Sequence, residues 1–142
     1  MISSSQISQR NNTFVANIIK EGKETVVLDL KTKKQLHKLK IQKKAAVNSK
    51  FVGVAFSWKD AYLAAVTNTG DVHILNIKNG TVEVKQKQHF GSIRCIVFSK
   101  IQDTFYTSAE DGTIKSYDLT LQKTKTLVSL KSYNKKSEAG TL

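Results

Sequence analysis

Three side chains in this sequence have the types that acid–base chemistry needs: Thr107 as a hydroxyl nucleophile, His89 as its base and Asp111 as the carboxylate that orients the imidazole. Catalysis also needs donors for a developing oxyanion and a pocket for substrate, and nothing in the sequence marks either. No Gly-rich phosphate loop, HExxH helix or GxSxG elbow occurs. His37 and His73 fall on strand candidates without a cysteine or carboxylate at ligand spacing, so no metal or cofactor is expected. Cys95, the only cysteine, lies inside the apolar run Ile93 to Phe98 and reads as a small core residue rather than a reactive thiol. The remaining candidate is electrostatic. Lys31, Lys33, Lys34, Lys38, Lys40, Lys43 and Lys44 place seven positive charges within fourteen positions, suited to an RNA backbone or an acidic protein surface. The same lysines would also solvate an outer strand and oppose edge-to-edge pairing. Without interleaved arginines or stacking aromatics, such a contact would position a partner rather than read its sequence.

The elements that must hold these residues are short strands. From His89 to Leu119, three β-rich runs (Ile93 to Phe98, Phe105 to Ser108, Thr113 to Leu119) are separated by turn signals, with Asp111-Gly112 as a hairpin turn. A copy lies upstream in Phe51 to Phe56, Tyr62 to Val66 and Val72 to Ile77. Phe98, Ser99, Gly112 and Leu119 each stand 42 residues after Phe56, Ser57, Gly70 and Ile77. A fixed period of this length marks a repeat array. A weaker first copy comprises Phe14 to Ile19 and Thr25 to Leu30, with Asp29 at the position of Asn76 and Asp118. Its spacing of 47 predicts five extra residues in the loop before the second copy, and Asp29, Asn76 and Asp118 read as turn caps.

Residues 36–42 alternate, with His37, Leu39 and Ile41 on one side and Lys38, Lys40 and Gln42 on the other. The composition of 32–46 also suits a helix, but Val82 to Lys85 alternate at the same repeat position, and that decides for a strand. Phe51 to Phe56 and Ala61 to Val66 are instead apolar at nearly every position, so both of their faces must be covered. Sheets with doubly buried inner strands and half-wetted outer ones are the blades of a β-propeller. The fold class expected is all-β, a partial β-propeller of about three four-stranded antiparallel blades.

In these residues the chain resembles the WD40 repeat family. The third copy carries His89 four residues before Ile93, the Phe98-Ser99 strand close, the Asp111-Gly112 turn, and Tyr117-Asp118 where the family's Trp-Asp stands. The resemblance covers residues 14–130 and implies a structural hydrogen-bond tetrad of His89, Thr107, Asp111 and Tyr117, with Tyr in place of Trp. The matching positions of the second copy, Val47, Ala65, Thr69 and Leu75, lack those groups, so that blade is expected to rely on packing alone. The organisation implied is a polar arm (1–12), a degenerate first blade with a Lys-rich outer strand and loop (13–46), a second blade (47–88), a third (89–130) and a polar tail (131–142). Rings of this kind have about four to eight blades of about 40 to 45 residues. The remaining blades are therefore expected from a longer chain or from a partner.

Net charge is +12, from 23 basic and 11 acidic residues. That balance invites an RNA or acidic-protein partner. Only Arg10 and Arg94 are arginine, however, and a lysine-rich chain without proline fits compositional bias as well as an anionic partner. The polar start and lone cysteine lead to an intracellular, reducing location as the expectation, with no membrane contact. Basic propellers that this one resembles include nucleolar ribosome-assembly factors. The resemblance thus implies a non-catalytic scaffold in a multi-subunit assembly, in the nucleus and nucleolus for ribosome biogenesis and rRNA processing. The alternative is a cytoplasmic protein-interaction scaffold of a trafficking, ubiquitin-ligase or cytoskeletal complex. An enzyme is the weakest class.

Overall fold

Alternation and turn chemistry decide where the strands fall. The computed structural model describes residues 5–8 and 13–129, and among them the chain forms three antiparallel sheets of four strands, each laid down in chain order. Blade 1 contains β1 (Ser5–Ile7), β2 (Phe14–Ile19), β3 (Glu24–Asp29) and β4 (Gln35–Lys40). Blade 2 contains β5 (Phe51–Phe56), β6 (Tyr62–Thr67), β7 (Val72–Asn76) and β8 (Val82–Lys85). Blade 3 contains β9 (Ile93–Phe98), β10 (Thr104–Ala109), β11 (Thr113–Asp118) and β12 (Lys123–Ser129). The helix considered for 32–46 does not form. The extra residues of the first repeat lie between the starts of β4 and β5, 16 positions against 11 from β8 to β9.

One boundary differs from the expected organisation. Ser5–Ile7, placed in the polar arm, pairs with β2, Ser5 opposite Asn17 and Ile7 opposite Val15. Three residues are too few to show alternation, and the strand is held by its backbone ladder and by Gln6 Oε1, which accepts from the Phe56 amide at 2.6 Å. The rest of that arm and the tail 131–142 lie outside the described residues.

The core forms two layers, one on each side of blade 2. Val54, Phe56, Leu63, Ala65 and Leu75 meet Ala16, Val27 and Leu39 of blade 1. On the other side Ala55, Ala64, Val66, Val72 and Ile74 meet Ile96, Phe98, Phe105 and Tyr117 of blade 3. This explains the unbroken apolar runs of β5 and β6, since each fully buried large side chain contributes about 1.5–3 kcal/mol. Blade 3 is covered on one side only. Arg94 and Val97 of β9 are exposed, and Cys95, expected in the core, is half-buried beside them on the uncovered face.

Side-chain caps repeat with the sheets. Asp29 Oδ1 accepts from the amides of Lys31 and Thr32, Asn76 Oδ1 from Lys78 and Asn79, and Asp118 Oδ1 from Thr120 and Leu121, all at 2.8–3.2 Å. At the other turn of each blade Ser8, Ser57 and Ser99 accept from amides of the following residues. The Thr13, Ala61 and Asp103 carbonyls accept from Leu30, Ile77 and Leu119 in the same repeat. Short Asx and Ser turns of this kind fix hairpin register without requiring apolar residues.

Blades 2 and 3 are also clasped through a backbone contact. The amides of Gln88 and His89 both donate to the Gly70 carbonyl, at 2.9 and 3.2 Å. Gly70 has φ +87°, and a Cβ there would lie 1.9 Å from the His89 carbonyl oxygen. Gly70→Ala is therefore expected to cost about 3 kcal/mol, measured by urea unfolding. Gly80→Ala, at φ +76° but facing only the His37 ring, should cost about 1 kcal/mol.

Candidate functional site

The clasp delivers His89 into the end of blade 3, where the hairpin turn between β10 and β11 supplies Asp111 and Thr113, and β10 supplies Thr107. His89 Nε2 lies 2.7 Å from Thr107 Oγ1. Its Nδ1 lies 3.2 Å from both Asp111 carboxylate oxygens and 2.9 Å from Thr113 Oγ1. An ionised carboxylate only accepts, so Nδ1 carries the proton, Nε2 accepts, and the Thr107 hydroxyl donates to it. Asp111 further accepts from the Phe90 amide (2.9 Å), the Thr113 amide (3.0 Å) and the Thr113 hydroxyl (2.7 Å). Thr113 is a member that the sequence reading missed. Its signal was the hydroxyl two residues after the turn aspartate, the spacing of an Asx turn.

Tyr117 is stacked on Phe105 with ring centroids 4.6 Å apart. Its hydroxyl is buried, and burial pushes its ionisation up to about 12, with the neighbouring Thr107 hydroxyl opposing. Burial pushes the His89 imidazole below its ordinary value, outweighing the opposite pull of Asp111. Burial also works against ionised Asp111, but the Phe90, Thr113 and His89 donors overcome it and hold the carboxyl well below the usual range. His89 and Thr107 are each only 1% exposed. A hydroxyl so enclosed is not open to a substrate in this structure.

Blade 2 does not rely on packing alone, and this corrects the sequence expectation. Ser49 Oγ lies 2.8 Å from Thr69 Oγ1, which also contacts Thr67 Oγ1 at 3.2 Å and donates to Asp71 Oδ2 at 3.5 Å. Asp71 Oδ1 accepts from the Lys87 amide at 2.8 Å. Thr69 and Asp71 occupy the positions of Asp111 and Thr113, so hydroxyl and carboxylate have exchanged places two residues apart. The imidazole has no counterpart there, since Val47 is fully exposed.

The seven lysines do not form one patch. Lys31, Lys33 and Lys34 lie in the turn from β3 to β4, Lys38 and Lys40 on β4, and Lys43 and Lys44 in the following loop. The turn and the loop are separated by the length of a six-residue strand, about 17–20 Å. Lys38 approaches Glu24 at 3.6 Å, as does Lys20 at 3.4 Å. His37 joins blades, its Nε2–H donating to the Ile77 carbonyl at 2.7 Å. His73 is buried against Phe51. Burial lowers its imidazole to about 4, with Asp71 opposing.

No protein-family model matches the sequence, and no curated protein matches it. Solved structures do share its form. The chain is similar to the crystal structure of the RRP9 WD40 repeats, with a TM-score of 0.73 at 14% identity over 87% of this chain and 37% of that one. The structure of U3-55K gives 0.73 at 13% identity, over 87% and 38%. A chain of the mitotic checkpoint complex gives 0.70 at 14%, over 89% and 36%. The fold is that of a partial WD40 propeller. These blades span well under half the length of the chains they match. Among the described residues no helix is long and apolar enough to cross a membrane, and no three His, Cys, Asp or Glu side chains group to hold a metal.

Two outcomes are expected of the WD40 polar clusters. Asp111→Ala should cost about 1 to 3 kcal/mol, the penalty for leaving buried partners unpaired, read from the urea midpoint. Stability should also fall with pH in two stages. The unfolded imidazoles take up protons near 6.5, whereas folded His73 resists until about 4 and folded His89 is shifted the same way. Stability is then complete above the unfolded value and declines as pH falls towards 4. Below that, Asp111 continues the decline as it is forced to protonate from its depressed folded value. Melting temperatures across this range check the slope, and His73→Leu should flatten its upper part.

Proposed function

We propose that this chain is a binding scaffold, a set of WD40 blades within a multi-subunit assembly, and that it catalyses nothing. The observation that carries the reading is the enclosure of His89, Thr107 and Asp111, which spend their hydrogen bonds on one another and on the turn. The third similar structure is a chain of a complex, which fits this role. The assembly we infer is one of ribosome biogenesis and rRNA processing in the nucleus and nucleolus. The net charge of +12 supports it, as does the likeness in fold to the RRP9 WD40 repeats and U3-55K. Lys31, Lys33 and Lys34 at one end and Lys43 and Lys44 at the other would then touch phosphates as point charges.

A second reading, a cytoplasmic scaffold without RNA, is favoured by the exposed large apolar residues Val47 and Phe90 in equivalent loops between blades. Such side chains suit a protein surface better than a phosphate backbone. A tagged chain decides between them. Nucleolar position with partners released by RNase is the expected result; a cytoplasmic chain with RNase-insensitive partners would establish the second reading. Replacing Lys31, Lys33 and Lys34 by Ala should weaken RNA retention and reduce its salt dependence by about three counterion contacts. Thermal stability should change little, as these lysines form no ion pair among the described residues.

A further inference from the structure

The turns at one end of the three blades hold large apolar side chains and amines together in the open. They are residues 30–34 of blade 1, 57–61 and 77–81 of blade 2, and 99–103 and 119–122 of blade 3. Within blades 2 and 3 the two turns touch, since the amides of Ile77 and Leu119 donate to the Ala61 and Asp103 carbonyls. Between blades, His37 Nε2 lies 2.7 Å from the Ile77 carbonyl oxygen, and Tyr62, Asn76, Thr81, Leu119 and Gln122 line one cleft. Blades stack through their faces, so further blades added to this stack would leave its ends open.

Ile101 is 77% exposed, Leu121 62% and Leu30 39%. Beside them stand Lys31, Lys33, Lys34, Lys59, Lys78 and Lys100, all exposed. None of these amines forms an ion pair among the described residues. The carboxylates at this end are withdrawn. Asp60 is buried and Asp103 half-buried, while Asp29 and Asp118 accept from turn amides. Glu83 on the neighbouring strand β8 pairs with Lys85 at 3.8 Å. At the opposite end, by contrast, Glu21 and Glu110 stand exposed among the lysines. Trp58, the only tryptophan, is half-buried in turn 57–61 with Lys59 Nζ 4.5 Å from its ring centroid. An indole so placed suits a boundary between water and an apolar phase.

We propose that this end of the stack rests on an anionic lipid surface, its lysines at the headgroups and Ile101, Leu121 and Trp58 within the headgroup boundary. A nucleic acid would use the amines and leave Ile101 and Leu121 in water, whereas a lipid surface uses both chemistries. The groups are also spread over five turns of three blades, as contact with an extended surface requires. An interfacial contact needs no spanning segment, and it departs from the sequence expectation of no membrane contact. It rests on the cytoplasmic reading for its setting alone. The test uses purified chain, so the vesicle result and the location of a tagged chain fail separately.

The full-length chain is mixed with vesicles of phosphatidylcholine, with vesicles of an equal mixture of phosphatidylcholine and phosphatidylserine, and with poly(U) RNA. It should co-sediment with the anionic vesicles and not the neutral ones, release as salt rises, and shift Trp58 emission to the blue. Ile101→Ser with Leu121→Ser should weaken vesicle binding at least about ten-fold while leaving poly(U) binding unchanged. Replacing Lys31, Lys33 and Lys34 by Gln should weaken vesicle binding about a hundred-fold, about five-fold per amine. Phe90→Ser at the opposite end should change neither. Cooperative melting checks each fold, and Ile101→Ser alone serves if the double variant does not fold. Two results would overturn the proposal. One is no binding to the anionic vesicles, including a chain that binds poly(U) only. The other is vesicle binding that the Ile101 and Leu121 substitutions leave intact, which is adsorption of a polycation only.

Discussion

A four-stranded sheet with apolar residues on both faces is stable only when both faces are covered, and blade 2 is such a sheet. Its strands β5, β6 and β7 are buried almost throughout, so blades 1 and 3 are conditions of its folding. The burial is asymmetric in the outer blades. β9 alternates between buried and exposed positions, and β12 is exposed along its length. Each blade thus depends on the one beside it, as in arrays whose units contact only their neighbours.

Polar groups set the geometry that apolar packing leaves free. Packing between flat sheets tolerates sliding, whereas the Gly70 carbonyl accepting from two successive amides fixes blade 3 relative to blade 2 at a particular residue. The caps by Asp29, Asn76 and Asp118 do the same for each outer hairpin. A one-residue slip would turn every buried side chain outward, so caps at both ends of each hairpin protect the core by holding register.

The sequence made the repeat legible where turn chemistry and apolar runs coincided. The 42-residue offset of Phe98, Ser99, Gly112 and Leu119 located two blades, and alternation through Lys38 and Lys40 identified β4 against a helix. What it hid was carried by backbone or by exchangeable side chains. β1 has no pattern of its own, and its trace was Ser8, which accepts from Phe14 as Ser57 accepts from Tyr62. The blade 2 network was invisible to position matching because Thr69 and Asp71 reverse the order of Asp111 and Thr113. A hydrogen-bond network conserves donors and acceptors in space, and the chain can supply them from neighbouring positions.

The contrast between the two networks also explains why the imidazole is kept in one blade and absent from the other. Blade 2 is pressed from both sides, so its hairpin turn needs only hydroxyls and one carboxylate to hold shape. Blade 3 has an apolar layer on one side, and its contact with blade 2 must resist peeling from the other. His89 meets that need because it comes from the loop that leaves blade 2, is clasped there by Gly70, and reaches two strands of blade 3 through its two ring nitrogens. A residue bonded at both nitrogens transmits a load that a single hydroxyl contact would not. Tyr117 contributes to the same junction by packing, its ring stacked on Phe105 and buried against the blade 2 layer.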